Sequence, residues 1–314
     1  MPLRAAHTIH AAHCHFGWDN FFVLVMTVAP DDIVEFETVD ALDGQLSPTS
    51  SVEDVTNFDF GPINPVTGPV FADGAESGDA LKVTIGGFAP SGWGWTANLS
   101  GVVILAEDFP DPALHLWSFD TGGRAPASYS PAGRVPLKTL CGTMGVAPAA
   151  AGLHSIVPRS NVGGNMDVRD LAEGTELYLP VDVAGALFSA GDIHAVQGDG
   201  EVCGTALDSP MSVVLQFDVI KGAAPAFPRF TTPGPVSRHF DEKGDEVTTG
   251  IGSDLMEATK RAVRQMVDLV SSRHGMSAVD AYNLCRVCAD LRISEIVDQP
   301  NWVVSFYFPR IVFD

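Results

Sequence analysis

Positive charge is scarce in this chain of 314 residues: Lys and Arg number 18 against 39 Asp and Glu, a formal net charge of −21. A surface so acidic repels phosphate backbones and anionic lipid. Nucleic-acid and membrane-surface partners are therefore disfavoured, and a neutral or cationic substrate, or a metal ion held by carboxylates, is favoured. Long apolar runs are missing too. The run from Phe21 to Ala29 is strand-length, short of the ~18–20 residues of a membrane span. The leader Met-Pro-Leu-Arg-Ala-Ala-His lacks the long apolar stretch and the small-residue cleavage site of a secretory signal. Cysteines are few, odd in number and scattered (Cys14, Cys141, Cys203, Cys285, Cys288). No disulfide framework is expected, and the chain reads as a reduced, cytoplasmic protein. There is no G-x-S-x-G elbow and no Gly-Lys-Ser/Thr phosphate loop, and Gly163-Gly164 does not make a dinucleotide fingerprint.

What is present suits a packed β protein. Hydrophobic residues make up 46% and charged ones 18% of the chain, enough apolar material for a sizeable core. From Ala11 to about Ile220 short apolar runs alternate with Gly, Pro, Asp and Asn: Phe21–Val28, Asp32–Thr38, Leu81–Ile85, Gly101–Leu105, Glu176–Val183 and Met211–Val219. Many short strands between turn signals argue for a sandwich or barrel. The segment 223–236 carries four prolines and reads as a linker or extended crossing. Beyond it, Asp254 and Glu257 form a capping pattern ahead of Leu255, Ala258, Ala262, Val263, Met266, Val267 and Val270, and Gly275 stands at the stop. Ser277 and Asp280 open a second helix through Tyr282, Cys285, Cys288 and Leu291, and a closing strand follows. The expected fold is mainly β: a body over 1–222, the linker, and an α+β portion over 237–314 packed on the body.

Polar chemistry concentrates between Gly185 and Asp208. Asp192 and His194 stand two apart, as do Asp199 and Glu201. On a strand that spacing puts both members of a pair on one face. Gln197 and Gly198 lie between the pairs and Gly200 within the second, so a hairpin brings one imidazole and up to three carboxylates together. Such N/O sets suit zinc or another first-row divalent ion, or the same residues simply cap a polar turn. A second cluster holds His10, His13, His15, Asp19 and Asn20, of which His15 and Asp19 can reach a site. Asn165 and Asp167 follow Gly163-Gly164 and offer an amide and a carboxylate, or a tight turn. Trp93 and Trp95 can wall a pocket or cover a sheet edge. Cys285 and Cys288, inside a helix, read as packed thiols. Cys141 and Cys203 are nucleophile candidates only if a base lies near.

Taken together, "HFGWDN" (15–20), "GPVFADGAESGDAL" (68–81), "GWGW" (92–95), "GTMGVAPA" (142–149), the long phrase 163–208 and the tail 257–298 resemble the acetamidase/formamidase family, in its shorter acetamidase-like form, over about residues 7–314. The resemblance implies hydrolysis of a small aliphatic amide to carboxylate and ammonia, by an oligomer (a homodimer or larger) that carries a metal ion. His15, Asp19, Asn165, Asp167, Asp192, His194 and Glu201 fall on the family's polar motif positions. Phe21-Phe22-Val23-Leu24 departs from the family's proline-containing stretch. The expected mechanism has Asp192, His194 and one of Asp199 or Glu201, with Asp199 preferred, holding a divalent ion, zinc ahead of a structural calcium. Glu201 ahead of Asp167 is the general base, Asn165 the oxyanion donor, and His15, Asp19, Trp93 and Trp95 line the substrate. The rivals are a Cys141 or Cys203 nucleophile, and a non-catalytic β-sandwich that binds carbohydrate or metal.

Overall fold

Burial along Met211–Ile220 alternates residue by residue, with Val213, Leu215 and Phe217 inside, and Ile33–Glu37 does the same with Val34 and Phe36. That period-two pattern marks strands with one face on a core. In the computed structural model, which describes residues 3–99, 101, 103–122, 125–129, 133–233, 243–297 and 299–313, these strands belong to a six-stranded sheet. Its order is His7–Ile9, Ile33–Glu37, Met211–Ile220, Ala80–Pro90, Glu176–Pro180, Arg229–Thr231. The first pair is parallel and the others antiparallel.

A nine-stranded sheet faces it. Gly163–Asn165, Leu140–Gly145, Phe188–Val196, Leu207–Asp208, Trp93–Asn98 and Ala113–Ser118 follow in order, and Val66–Ala72 also pairs with Phe188–Val196. Phe188–Val196 is buried at every position, as a strand covered on both faces must be. Phe188 meets Phe36 and Phe217 of the first sheet at ring distances of 5.9 and 5.2 Å, which ties the two sheets together. The fold is mainly β with its two long helices near the C-terminus.

Helix Leu255–His274 is capped by Asp254, which accepts from the Glu257 amide, and it ends on Gly275 in the left-handed conformation. Helix Ala278–Cys288 starts on Ser277 and buries both Cys285 and Cys288. It stops before Leu291, because Asp290–Glu295 leaves the helix to pair with Trp302–Pro309 in a three-stranded sheet with Asp245–Gly252. Val263, Met266, Tyr282 and Phe306 of this tail share one continuous core with Val83, Phe188 and Val202 of the body.

Other local expectations fare differently. The run Phe21–Val28 is a strand only over Met26–Val28, and residues 101 and 103–105 form turns. Within the expected linker, Arg229–Thr231 adds an edge strand beside Glu176–Tyr178; positions 234–236, and 237–242 of the expected tail, lie outside the described residues. A short helix not foreseen, Val52–Asn57, is set by a Ser51–Asp54 capping box. With Leu42, Leu46, Trp95 and Ala97, its Val55 builds a small satellite core above the nine-stranded sheet.

Candidate active site

Strand Phe188–Val196 carries Asp192 and His194, and a register shift after His194 brings Leu207–Asp208 alongside, with Asp208 directly opposite His194. His194 Nε2 therefore stands 3.0 Å from Asp192 Oδ1 and 3.3 Å from Asp208 Oδ1. Its other nitrogen, Nδ1, donates to Gln197 Oε1 at 2.8 Å. Burial opposes the imidazolium, but Asp192 and Asp208 outweigh it, and the pKa of His194 lies well above the ordinary range.

Two more carboxylates complete the group. Ligand atoms of Asp167, His194 and Glu201 lie within 4.8 Å of one another, as do those of Asp192, His194 and Asp208. Asp167 Oδ2 accepts from Asn165 Nδ2 at 2.8 Å and from Arg159 Nη2 at 3.2 Å, whereas its buried Oδ1 has no hydrogen-bond partner among the described residues. Asn165 is itself held, since its Oδ1 accepts from Thr143 Oγ1 at 2.8 Å and Asn64 Nδ2 at 3.0 Å. Burial, reinforced by Asp192, pushes Asp167 up to about 7. Burial and then Asp167 push Glu201 well above the carboxylate range.

The backbone is strained where this chemistry sits. Asp167, Asp192 and Glu201 have φ of 49°, 54° and 40°, a region costly for residues with a side chain and concentrated at functional sites. The loop holding Asp167 closes on Gly142 so tightly that a Cβ there would lie 2.7 Å from Asp167 Oδ1 and 2.9 Å from the Asp192 carbonyl. Four carboxylates around one imidazole, with an orphaned buried oxygen among them, form a donor set that fits a divalent cation.

All of these groups line one cavity of ≈ 150 Å³, together with Trp95, Asn64 and apolar residues of 41–63. Asp192, His194, Asp167, Asn165, Glu201 and Trp95 are thus brought together. Asp199 is not: the turn through Gly200 aims it towards Arg169 and Asp290, with burial first and then the neighbouring carboxylates raising its pKa. Asp208, which sequence reasoning missed, stands where Asp199 was expected. Its sequence signal is only a carboxylate after a short apolar step, and the strand register supplies the rest.

His15, Asp19 and Trp93 lie outside the cavity lining. Ser189 Oγ donates to His15 Nε2 at 2.8 Å, and His15 Nδ1 donates to the Gly17 carbonyl at 2.7 Å. Asp19 caps the Phe21 amide at 2.9 Å. Trp93 packs on the satellite core, and its carbonyl accepts from Ser209 and Ser91. Cys141 and Cys203 are buried and outside the lining; burial raises the first thiol and pushes the second up to about 11. Neither is poised as a thiolate. All five cysteines are free. No helix among the described residues is long and apolar enough to cross a membrane.

A model of the acetamidase/formamidase family matches residues 4–155 and 149–314. A formamidase of Methylophilus methylotrophus is 25% identical over 96% of this chain and 89% of its own length. Among solved structures, an acetamidase from Bacillus halodurans is 28% identical, with a TM-score of 0.68 and 96% of each chain covered. A γ-lactamase from Delftia acidovorans, 24% identical, shares the fold with a TM-score of 0.90 over 98% of this chain and 94% of its own.

Proposed function

This chain belongs to the acetamidase/formamidase family, and from that premise we propose that it hydrolyses a small aliphatic amide to its carboxylate and ammonia in the cavity around His194. The observation that carries the reading is the meeting of His194 with Asp167, Asp192, Glu201 and Asp208 in a cavity whose remaining wall is largely apolar. Asp192, His194 and Asp208 would hold a divalent ion, zinc being the best match to one imidazole and carboxylate oxygens. When bound, such an ion supplies a Lewis acid that makes water acidic near neutral pH, with pKa ~7 instead of 15.7.

The protein's own groups do the rest. Amide cleavage needs a group that takes a proton from water and returns one to the departing nitrogen. Glu201, half-buried in the cavity lining, can take up and release a proton there and suits both tasks, and Asp167 stands beside it. Asn165 orients the Asp167 carboxylate through its amide. One N–H of that amide is engaged by Asp167, and the second is left to donate to the oxyanion that develops in the cavity. Trp95, fully buried, closes the floor and keeps bulk water out.

The same reading includes a homo-oligomer working in a reduced, cytoplasmic setting. Phe16, Phe21, Val23, Leu24 and Leu153 are exposed apolar side chains of neighbouring loops, and such a patch suits contact with a second copy. Light scattering on the purified chain measures that state. The activity is tested by ammonia release from formamide, acetamide, propionamide and butyramide, before and after chelation and graded zinc re-addition, with His194→Ala as control. Turnover of these amides that chelation abolishes and zinc restores is expected. Full activity in chelator, or in His194→Ala, would overturn the site assignment.

A further inference from the structure

The cavity has two unlike ends. Around His194 it is carboxylate-rich, while the other end is walled by Ala41, Phe58, Phe60, Ile63, Leu99 and Val157. That apolar end is built by a segment of its own. Leu42, Leu46 and Val55 anchor 41–63 onto Trp95, and the amides of Gln45 and Asp59 pin the loop across its base, with Gln45 Nε2 donating to the Asp59 carbonyl at 3.0 Å and the Asp59 amide to Gln45 Oε1 at 2.7 Å. The rings of Phe58 and Phe60 lie 4.3 Å apart. Phe60 is nevertheless 57% exposed and Val157 40%. Large apolar groups left open beside a buried polar site mark a place where something apolar binds.

Size narrows the occupant. The whole cavity, its carboxylate end included, measures ≈ 150 Å³, about the volume of an apolar cavity that holds a benzene ring, and its apolar end opens outward beside the exposed Phe60 and Val157. Acetamide brings a single methyl group to the apolar end and formamide brings none, so either leaves most of that wall uncovered. We infer that this wall is an acyl subsite, and that the preferred substrate is a primary amide whose acyl group is a branched chain or a five- or six-membered carbon ring. The inference rests on the hydrolytic reading above for the position of the reacting carbonyl, beside His194 and Glu201. The acyl group then points away from the carboxylates, towards Phe58, Ile63 and Leu99.

Each methylene buried is worth about 0.8 kcal/mol, which is roughly fourfold in kcat/KM. The test is kcat/KM of the zinc-supplemented protein for formamide, acetamide, butyramide, isovaleramide and cyclohexanecarboxamide. Values are expected to climb about fourfold per added carbon, until the ring amide exceeds acetamide by roughly a thousandfold. A maximum at formamide or acetamide overturns the subsite and leaves the hydrolytic reading intact. Val157→Trp fills the cavity from an exposed position and should lower the ratio of ring amide to acetamide at least tenfold; an unchanged ratio overturns the placement of the subsite. Calorimetric titration with ethanol and cyclohexylmethanol, neither hydrolysable, reads the subsite without turnover. If no amide is cleaved but cyclohexylmethanol binds tenfold or more tighter, the subsite stands and the hydrolytic reading falls. Equal weak binding of the two alcohols overturns the subsite whatever the turnover.

Discussion

Gln197 holds His194 by one nitrogen and the Asp167 loop by the other side of its amide: its Oε1 accepts from His194 Nδ1 at 2.8 Å, and its Nε2 donates to the Asp167 carbonyl at 2.7 Å. Because a carbonyl can only accept, the second bond fixes which way the amide points. That in turn fixes a proton on His194 Nδ1 and directs Nε2 at Asp192 and Asp208. Outer partners of this kind orient a ligating histidine. Gln197→Leu should weaken zinc binding and kcat/KM by about 10–100-fold, and Gln197→Glu, which keeps an acceptor for Nδ1, should recover part of the loss. A competition titration with a chromophoric chelator reads the affinity. Equal zinc affinity in all three proteins would remove Gln197 from this role.

Asp208 and Asp199 make opposite predictions. Asp208 Oδ1 faces His194 Nε2 at 3.3 Å, and its Oδ2 accepts from the Ala206 amide at 3.0 Å, so the carboxylate is fixed on both sides. Asp208→Asn should cut zinc affinity by more than the ~10–100-fold typical of outer-shell partners. Asp199→Asn, at a position that faces Arg169 and Asp290, should leave one zinc per chain. Elemental analysis after gel filtration separates the two. Retention of zinc by Asp208→Asn together with loss by Asp199→Asn would restore the assignment first drawn from sequence.

That contrast shows what was legible without coordinates. Asp192 and His194 share a face by two-residue spacing, and Asp254, Gly275 and Ser277 are helix signals that act within one turn. Both kinds of information are local. The partner of His194 is not: Asp208 reaches it through antiparallel register and an irregularity after His194. Nor does spacing alone place Asp199 and Glu201, because the positive φ of Gly200 and Glu201 turns the two carboxylates apart. The cap over the cavity was hidden for a similar reason. Segment 41–63 has little hydrophobic periodicity, and its helix Val52–Asn57 rests on a capping box and on Val55 packing near Trp95.

Binding of a cation to this site must displace protons. Without one, Asp167 is pushed up to about 7 and Glu201 well above the ordinary carboxylate range, burial being the first cause in both. An acid whose folded pKa exceeds its unfolded value favours the unfolded chain once it ionises. The cation-free protein should therefore lose stability as pH rises through 4 towards 7 on account of Asp167. Zinc should reverse that trend, with an affinity that rises across the same window. Calorimetric titrations at pH 7 in buffers of different ionisation enthalpy should show at least one proton released per zinc. A heat independent of buffer would contradict the protonation assigned to His194, Asp167 and Glu201 together.

His15 gives the opposite slope. Burial lowers its pKa from 6.5 to about 4, against the Gly17 carbonyl, which acts to raise it. Between those values the unfolded chain binds a proton that the folded chain refuses. Its contribution is complete above pH 6.5 and is lost as pH falls towards 4, a difference of roughly 3 kcal/mol. His15→Gln lacks this titration. Urea midpoints at pH 7 and pH 4.5 should move further apart for the parent protein than for the variant; parallel shifts would mean that His15 is protonated in the folded state.

Tyr282 connects the C-terminal helices to the turn that carries Glu201. Its hydroxyl donates to the Val202 carbonyl and accepts from the Leu105 amide at 3.1 Å, all three groups being buried. Val202 follows Glu201 directly, and Arg286, one helical turn further along, donates to the Thr205 carbonyl in the same turn. Tyr282→Phe keeps the ring but leaves a buried donor and a buried acceptor without partners, at a cost of about 1–3 kcal/mol each way such a group is orphaned. Stability should fall by that order. Because the turn also carries Glu201, kcat should fall as well, with KM little changed, since the wall proposed as the acyl subsite belongs to 41–63 on the other side of the cavity. Chemical denaturation and steady-state kinetics on one preparation read both effects. A loss of stability with kcat intact would mean that the helices brace the fold without governing the position of Glu201.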